Sequence, residues 1–194
     1  MAVSRLLWLL AVLSLAGCAA PTPSETPGVD RREVAELSHA ILALGEGIDP
    51  EEAERAARIA FSYTRQLKRE YRFTDPPLIH NAKVHLGLRE RGLCYHWAED
   101  IEARLLEEDF RTLDMHRAIA PETIYRIEHS TAIISRKGDS LRDGVILDPW
   151  RLGGRLHWTP VSEDHDYDWR PAAEILASRW RSREERRRLS TMSP

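Results

Sequence analysis

Near Leu106 the spacing of apolar residues changes, and that change constrains the fold more than any other feature of the chain. Before it, apolar residues recur every three or four positions, as one face of an α-helix requires. After it they alternate, or gather in short β-branched runs bounded by turn residues. Helices collected first and strands afterwards predict an α+β fold, with N-terminal helices packed on an antiparallel sheet.

The helical half divides cleanly. Asp30, three positions before Glu33, opens a run in which Val34, Leu37, Ile41 and Leu44 share a face until Gly45. Asp49 and Pro50 read as N-cap and N1 of a second helix, with acids in its first turn and basic residues near its end. "TDPP" breaks it. A third helix is predicted from about Leu78 to Arg91, capped by Gly92, and a fourth from Cys94. In the fourth, Cys94, Trp97, Ala98, Ile101 and Leu105 fall on one face.

The second half reads as strands. "FRTLDMHRAIA" alternates imperfectly, and "TIYRIEHSTAIISRKG" is rich in β-branched and aromatic residues. "KGDSLRDG" supplies a turn, "VILDPW" a short strand closed by Asp-Pro, "GGRLHW" an edge segment and "PAAEILASRW" a final helix. "SEDHDYDW" carries alternating acids but lacks the Gly and terminal Glu of a calcium loop, so it reads as a polar surface loop.

Ahead of all this lies a leader. "MAVSRLLWLLAVLSLAGCAA" has one basic residue, Arg5, then an apolar run from Leu6 to Ala16, then small residues. Its end, "LAGC", resembles the lipobox of bacterial lipoproteins. The resemblance implies that residues 1–17 are a signal peptide and that Cys18 becomes the lipidated first residue of the mature chain. The implied location is the cell envelope, with the protein held in the membrane by its lipid. Ala19 in place of an Asp favours the outer membrane, facing the periplasm. Residues 18–30, "CAAPTPSETPGVD", form a flexible tether too poor in apolar surface to fold. Residues 31–194 remain as a single domain, long enough for a real core.

The net charge of −3 becomes about −4 once Arg5 is removed, and nothing in it points to nucleic acid. Six arginines between Arg179 and Arg188, laced with Glu184 and Glu185, read as a solvated helix end.

With Cys18 acylated, Cys94 has no partner inside the mature chain. In an oxidising compartment such a residue is a reactive thiol, an intermolecular disulfide, or a sealed core residue. Its place at the start of a helix favours the first, because the unsatisfied N–H groups and the helix dipole stabilise a thiolate. His129 then sits near the start of the strongest predicted strand, 35 residues on, and Asp148 ends the next, 19 residues further. A thiolate nucleophile needs an imidazole to exchange its proton, and the imidazole needs an acceptor for its other ring N–H. Metal binding by Cys94 and His96, completed by His80, His85 or His116, is the competing chemistry. Residues two apart on a helix diverge, however, and no CxxC or HExxH spacing occurs. No metal or other cofactor is expected.

"GLCYHWAEDI … EHSTAII … GVILDPW" resembles the core of the transglutaminase-like branch of papain-fold cysteine enzymes, over residues 92–150. The resemblance implies Cys94 as nucleophile, His129 as general base and then acid, and Asp148 as the residue orienting His129. It implies action on an amide bond through a thioester: peptidase, amidase or acyl transfer, on a peptide, protein or peptidoglycan-peptide substrate. Ser130 departs from the aromatic residue that often follows the histidine in that family. An oxyanion needs a second donor besides the Cys94 N–H. Asn81 is the candidate, with His80 and Trp97 behind it, and the alternative for Asn81 is a brace within its helix. The alternative for the whole chain is a catalytically inactive lipoprotein of the same fold, serving as a binding or scaffold module.

Overall fold

The computed structural model describes residues 30–192, so the leader, Cys18 and most of the tether lie outside the described residues. Five helices and five strands follow in the order α1 (Arg31–Leu42), α2 (Pro50–Glu70), α3 (Pro77–His85), α4 (Cys94–Leu106), β1 (Leu113–Ala120), β2 (His129–Arg136), β3 (Val145–Asp148), β4 (His157–Pro160), β5 (Arg170–Pro171) and α5 (Ala172–Met192). The strands form one sheet in the order β4-β3-β2-β1-β5, antiparallel throughout. The architecture is therefore α+β, as the change of periodicity requires.

The first two helices begin at the expected caps. The Asp30 carboxylate accepts from the Arg32 N–H at 2.8 Å, and that of Asp49 from the Glu51 N–H at 2.9 Å, with Pro50 in the first turn of α2. Their apolar faces and that of α4 bury against one side of the sheet. Leu37, Ile41, Ala56, Leu67, Trp97 and Ile101 meet Ala132, Ile134 and Leu147 there. The opposite side carries a smaller core of Ala118, Ile133, Leu141, Ile146 and Trp169. It is roofed by the segment between β4 and β5.

Three expectations are corrected. The third helix ends at His85 rather than Arg91, because Gly87, at φ +73°, stops it. There the Leu88 N–H reaches the Lys83 carbonyl at 2.8 Å and the Gly87 N–H that of Val84 at 3.0 Å, so both free carbonyls are satisfied. Residues 123–128, β-branched and aromatic as they are, form an exposed loop, and β2 starts only at His129. "SEDHDYDW" is no plain surface loop, since Asp164 is buried within it. The final helix runs well past Trp180, and its arginine-rich length is exposed, with Arg188 paired to Glu184.

One buried acid joins the two halves. Glu52, read only as a first-turn acid, is 4% exposed, and its carboxylate accepts from the backbone N–H of Arg111 and of Thr112, both at 2.9 Å. The Thr112 hydroxyl donates to it as well, at 2.5 Å. It thereby anchors the start of β1 to α2. Burial alone would raise its pKa; the two N–H groups, the hydroxyl and the Arg111 charge outweigh that and bring it down to about 2.

Candidate active site

The backbone ahead of Cys94 is held from several directions. Leu93 has no capping side chain, so His96 turns back and its Nδ1 accepts from the N–H of Gly92 at 3.1 Å and of Leu93 at 3.2 Å. That assignment leaves the His96 proton on Nε2 and the ring neutral. Burial, and then the Arg91 charge, lower its pKa accordingly. The Trp97 indole donates to the Gly92 carbonyl at 3.2 Å, and His80 Nε2 donates to that of Arg91 at 3.0 Å. Gly92 sits at φ +119°, where a Cβ would lie 2.3 Å from His80 Nε2. Only glycine fits both the backbone angle and the space.

Cys94 is then the first residue of α4, half-buried and, among the described residues, without a disulfide partner. Its own N–H is one of the four that a helix leaves open at its start.

His129 and Asp148 sit at the same sheet end because β2 and β3 pair antiparallel, with Ala132 opposite Leu147 and Ile133 opposite Ile146. His129 Nε2 lies 2.7 Å from Asp148 Oδ2, and the two residues are 0% and 1% exposed. The imidazole is walled by Trp150 and Tyr167, each with ring centroids 4.8 Å away, and by Trp169 at 5.6 Å. With Nε2 committed to Asp148, Nδ1 is the nitrogen left for the thiol. It is buried, with no nitrogen or oxygen partner, and Cys94 is close enough to the ring to hydrogen-bond with it. Burial pushes the imidazole pKa down, but the Asp148 charge and hydrogen bond, and then Cys94, push it up to about 9. Burial would likewise raise Asp148, and the His129 and Arg151 charges hold it below the usual carboxylate range.

Two residues not anticipated from sequence complete the surroundings. The Arg151 side chain donates from Nε to Asp148 Oδ2 at 3.0 Å, and its backbone N–H donates to Oδ1 at 3.2 Å. The other end of its guanidinium grips both oxygens of Asp164, at 3.1 and 2.8 Å. Nothing in the spacing of an Arg directly after "DPW" and an acid 13 residues later distinguishes them from surface charge.

Of the three oxyanion candidates, His80 and Trp97 have their donors engaged by backbone carbonyls. Asn81 accepts the Trp150 indole N–H on Oδ1 at 3.0 Å, which leaves its Nδ2 group as the open donor. Three histidines of the metal alternative are engaged otherwise: His96 caps α4, His80 stacks on Phe73 and bonds the Arg91 carbonyl, and His116 pairs with Ser135 at 2.8 Å. Among the described residues no group of three or more His, Cys, Asp or Glu could hold a metal ion. No described helix is long and apolar enough to cross a membrane.

Comparison with family models, with curated proteins and with solved structures finds no match to this chain.

Proposed function

We propose that the chain is a lipid-anchored cysteine enzyme of the bacterial cell envelope that acts on an amide bond through a thioester. The transglutaminase-like resemblance of residues 92–150 and the lipobox resemblance at Cys18 belong to this reading. The observation that carries it is the sealed His129–Asp148 pair, 2.7 Å apart, whose remaining ring nitrogen is buried, without a nitrogen or oxygen partner, and the one available to the thiol that opens α4.

His129 Nδ1 takes the thiol proton, and the Cys94 sulfur attacks the amide carbon. A C–S bond forms while the carbonyl electron pair moves to oxygen, which faces the Cys94 N–H and the Asn81 amide. On collapse the C–N bond breaks, and the imidazolium returns its proton to the departing amine. The thioester is then opened by water or by a second amine, whose proton passes to Nδ1 and back to sulfur. Asp148 stays ionised throughout, fixing the tautomer and balancing the imidazolium. A ring with a pKa of about 9 carries its proton at neutral pH, the charge state that pairs with a thiolate.

The test is alkylation by iodoacetamide at pH 6, with labelled peptides mapped by mass spectrometry so that Cys18 is counted separately. Cys94 should react faster than a free thiol, and His129→Ala should slow it at least tenfold. Equal, slow labelling of the native and His129→Ala proteins would leave a binding module in place of an enzyme.

A further inference from the structure

We propose that Arg151, gripped by Asp164, is the positioning residue of this site: it aims Asp148 at His129, while Asp164 cancels the charge that Arg151 brings. The proposal rests on the proposed chemistry for its meaning but not for its test.

Asp148 has two oxygens and two tasks. Oδ2 faces His129 Nε2 at 2.7 Å and also accepts from Arg151 Nε at 3.0 Å; Oδ1 takes the Arg151 N–H at 3.2 Å. Three donors, two of them from one residue, therefore fix the carboxylate plane, and neither oxygen can turn away from the ring. A guanidinium with no other partner would neutralise Asp148 and deprive the imidazolium of its counter-charge. Asp164 prevents that. It occupies the fork of the guanidinium with both oxygens, leaving only the inner Nε for Asp148.

Asp164 is in turn held. The Trp169 indole donates to its Oδ2 at 2.8 Å and the Asp166 N–H to its Oδ1 at 3.4 Å. The Tyr167 ring lies between the two cations of the cluster, with its centroid 4.8 Å from both the Arg151 guanidinium carbon and the His129 ring. With Asp148 and Asp164 negative and Arg151 positive, the cluster becomes neutral when His129 takes a proton.

The other charged or titratable neighbours are Cys94 from α4, His157 from β4, Asp166, whose carboxylate stands 3.9 Å from the outer edge of the Arg151 guanidinium, and Arg126, which lies over Tyr167 and is ion-paired to Asp166. None of their side chains hydrogen-bonds to Asp148 or Asp164.

The cluster predicts opposite signs for two substitutions. Asp164→Asn unmasks the Arg151 charge, so the His129 protonation midpoint should fall, on the order of one pH unit. Arg151→Gln leaves two carboxylates facing the ring, so the midpoint should rise by a similar amount. Arg151→Lys keeps the charge and loses the fork; it should hold the midpoint near native while slowing Cys94 alkylation several-fold. The midpoint is read from the His129 Cε1–H resonance in the full chain, and alkylation by mapped iodoacetamide labelling across pH 5–10. Shifts of the same sign, or no shift in either variant, would overturn the proposal, because a purely structural brace loosens in both. Should Arg151→Gln fail to fold, the downward shift in Asp164→Asn and the near-native midpoint in Arg151→Lys decide it. Neither readout needs turnover: a chain without activity can pass, and an active enzyme can fail.

Discussion

Replacing Glu52 by Gln should cost about 3 kcal/mol of stability at neutral pH, and the loss should disappear in acid. The carboxylate takes two backbone N–H groups at 2.9 Å and one hydroxyl at 2.5 Å, with 4% of the residue exposed. Hydrogen bonds to a charged acceptor contribute roughly 1.5–3 kcal/mol each and do not add fully, so three shared by one carboxylate imply about 3 kcal/mol. Linkage gives a similar figure, since the gap between about 2 in the folded chain and 4.5 for the free group corresponds to about 3 kcal/mol. Because the folded pKa is depressed, this contribution is present above pH 4.5 and lost as pH falls through 2. Thermal melts of the native and Glu52→Gln proteins, from pH 7 downward, should differ by roughly 10 °C at neutrality and converge near pH 2. A difference that stays constant over that range would refute the reasoning, because it would show that the ionised carboxylate is not what holds β1 to α2.

Gly92→Ala should lower stability by more than about 2 kcal/mol, since its Cβ meets His80 Nε2 at 2.3 Å in a backbone region that side chains avoid; calorimetry of the variant checks it. Cys94→Ala should move the His129 midpoint below about 9, because the sulfur is one of the groups that raise it, and a proton resonance titration reads the change. The His129–Asp148 pair, its folded imidazole pKa raised above 6.5, contributes stability below pH 6.5 that is lost as pH rises through about 9; the stability gap between native and Asp148→Asn proteins in denaturant titrations should narrow at that alkaline end, to the part that the Arg151 contacts contribute. Asn81→Ala should leave the iodoacetamide rate of Cys94 near native while lowering thioester formation with an amide substrate at least tenfold, which separates an oxyanion donor from a brace.

Much of the site was legible because its residues sit where elements begin and end. A cysteine two residues after a glycine, heading an apolar helical face, has little choice but to open a helix; a histidine and an aspartate bounding consecutive strands meet at one sheet end. Arg151 and Asp164 were not legible, because a guanidinium that bridges two carboxylates looks in sequence like any charge in a polar loop. Glu52 was hidden by the ordinary preference of acids for the first helical turn, which explained it without a partner 59 residues away. β2 is shorter than its composition suggests, since Ile124, Tyr125 and Ile127 have strand chemistry but stay exposed outside the sheet. Gly92 reads in sequence as a helix cap, but it is Gly87 that ends the helix; both have positive φ, and Gly92 makes room for a ring.

The base is closed off from solvent while the cysteine that opens α4 is only half-buried, and under the proposed chemistry this asymmetry implies an order of events. In the proposed chemistry the sulfur holds one acyl group at a time, so the first fragment has to clear before its replacement can reach the carbonyl. Kinetics of the alternating, double-displacement kind would then follow from a single half-buried sulfur served by a sealed imidazole.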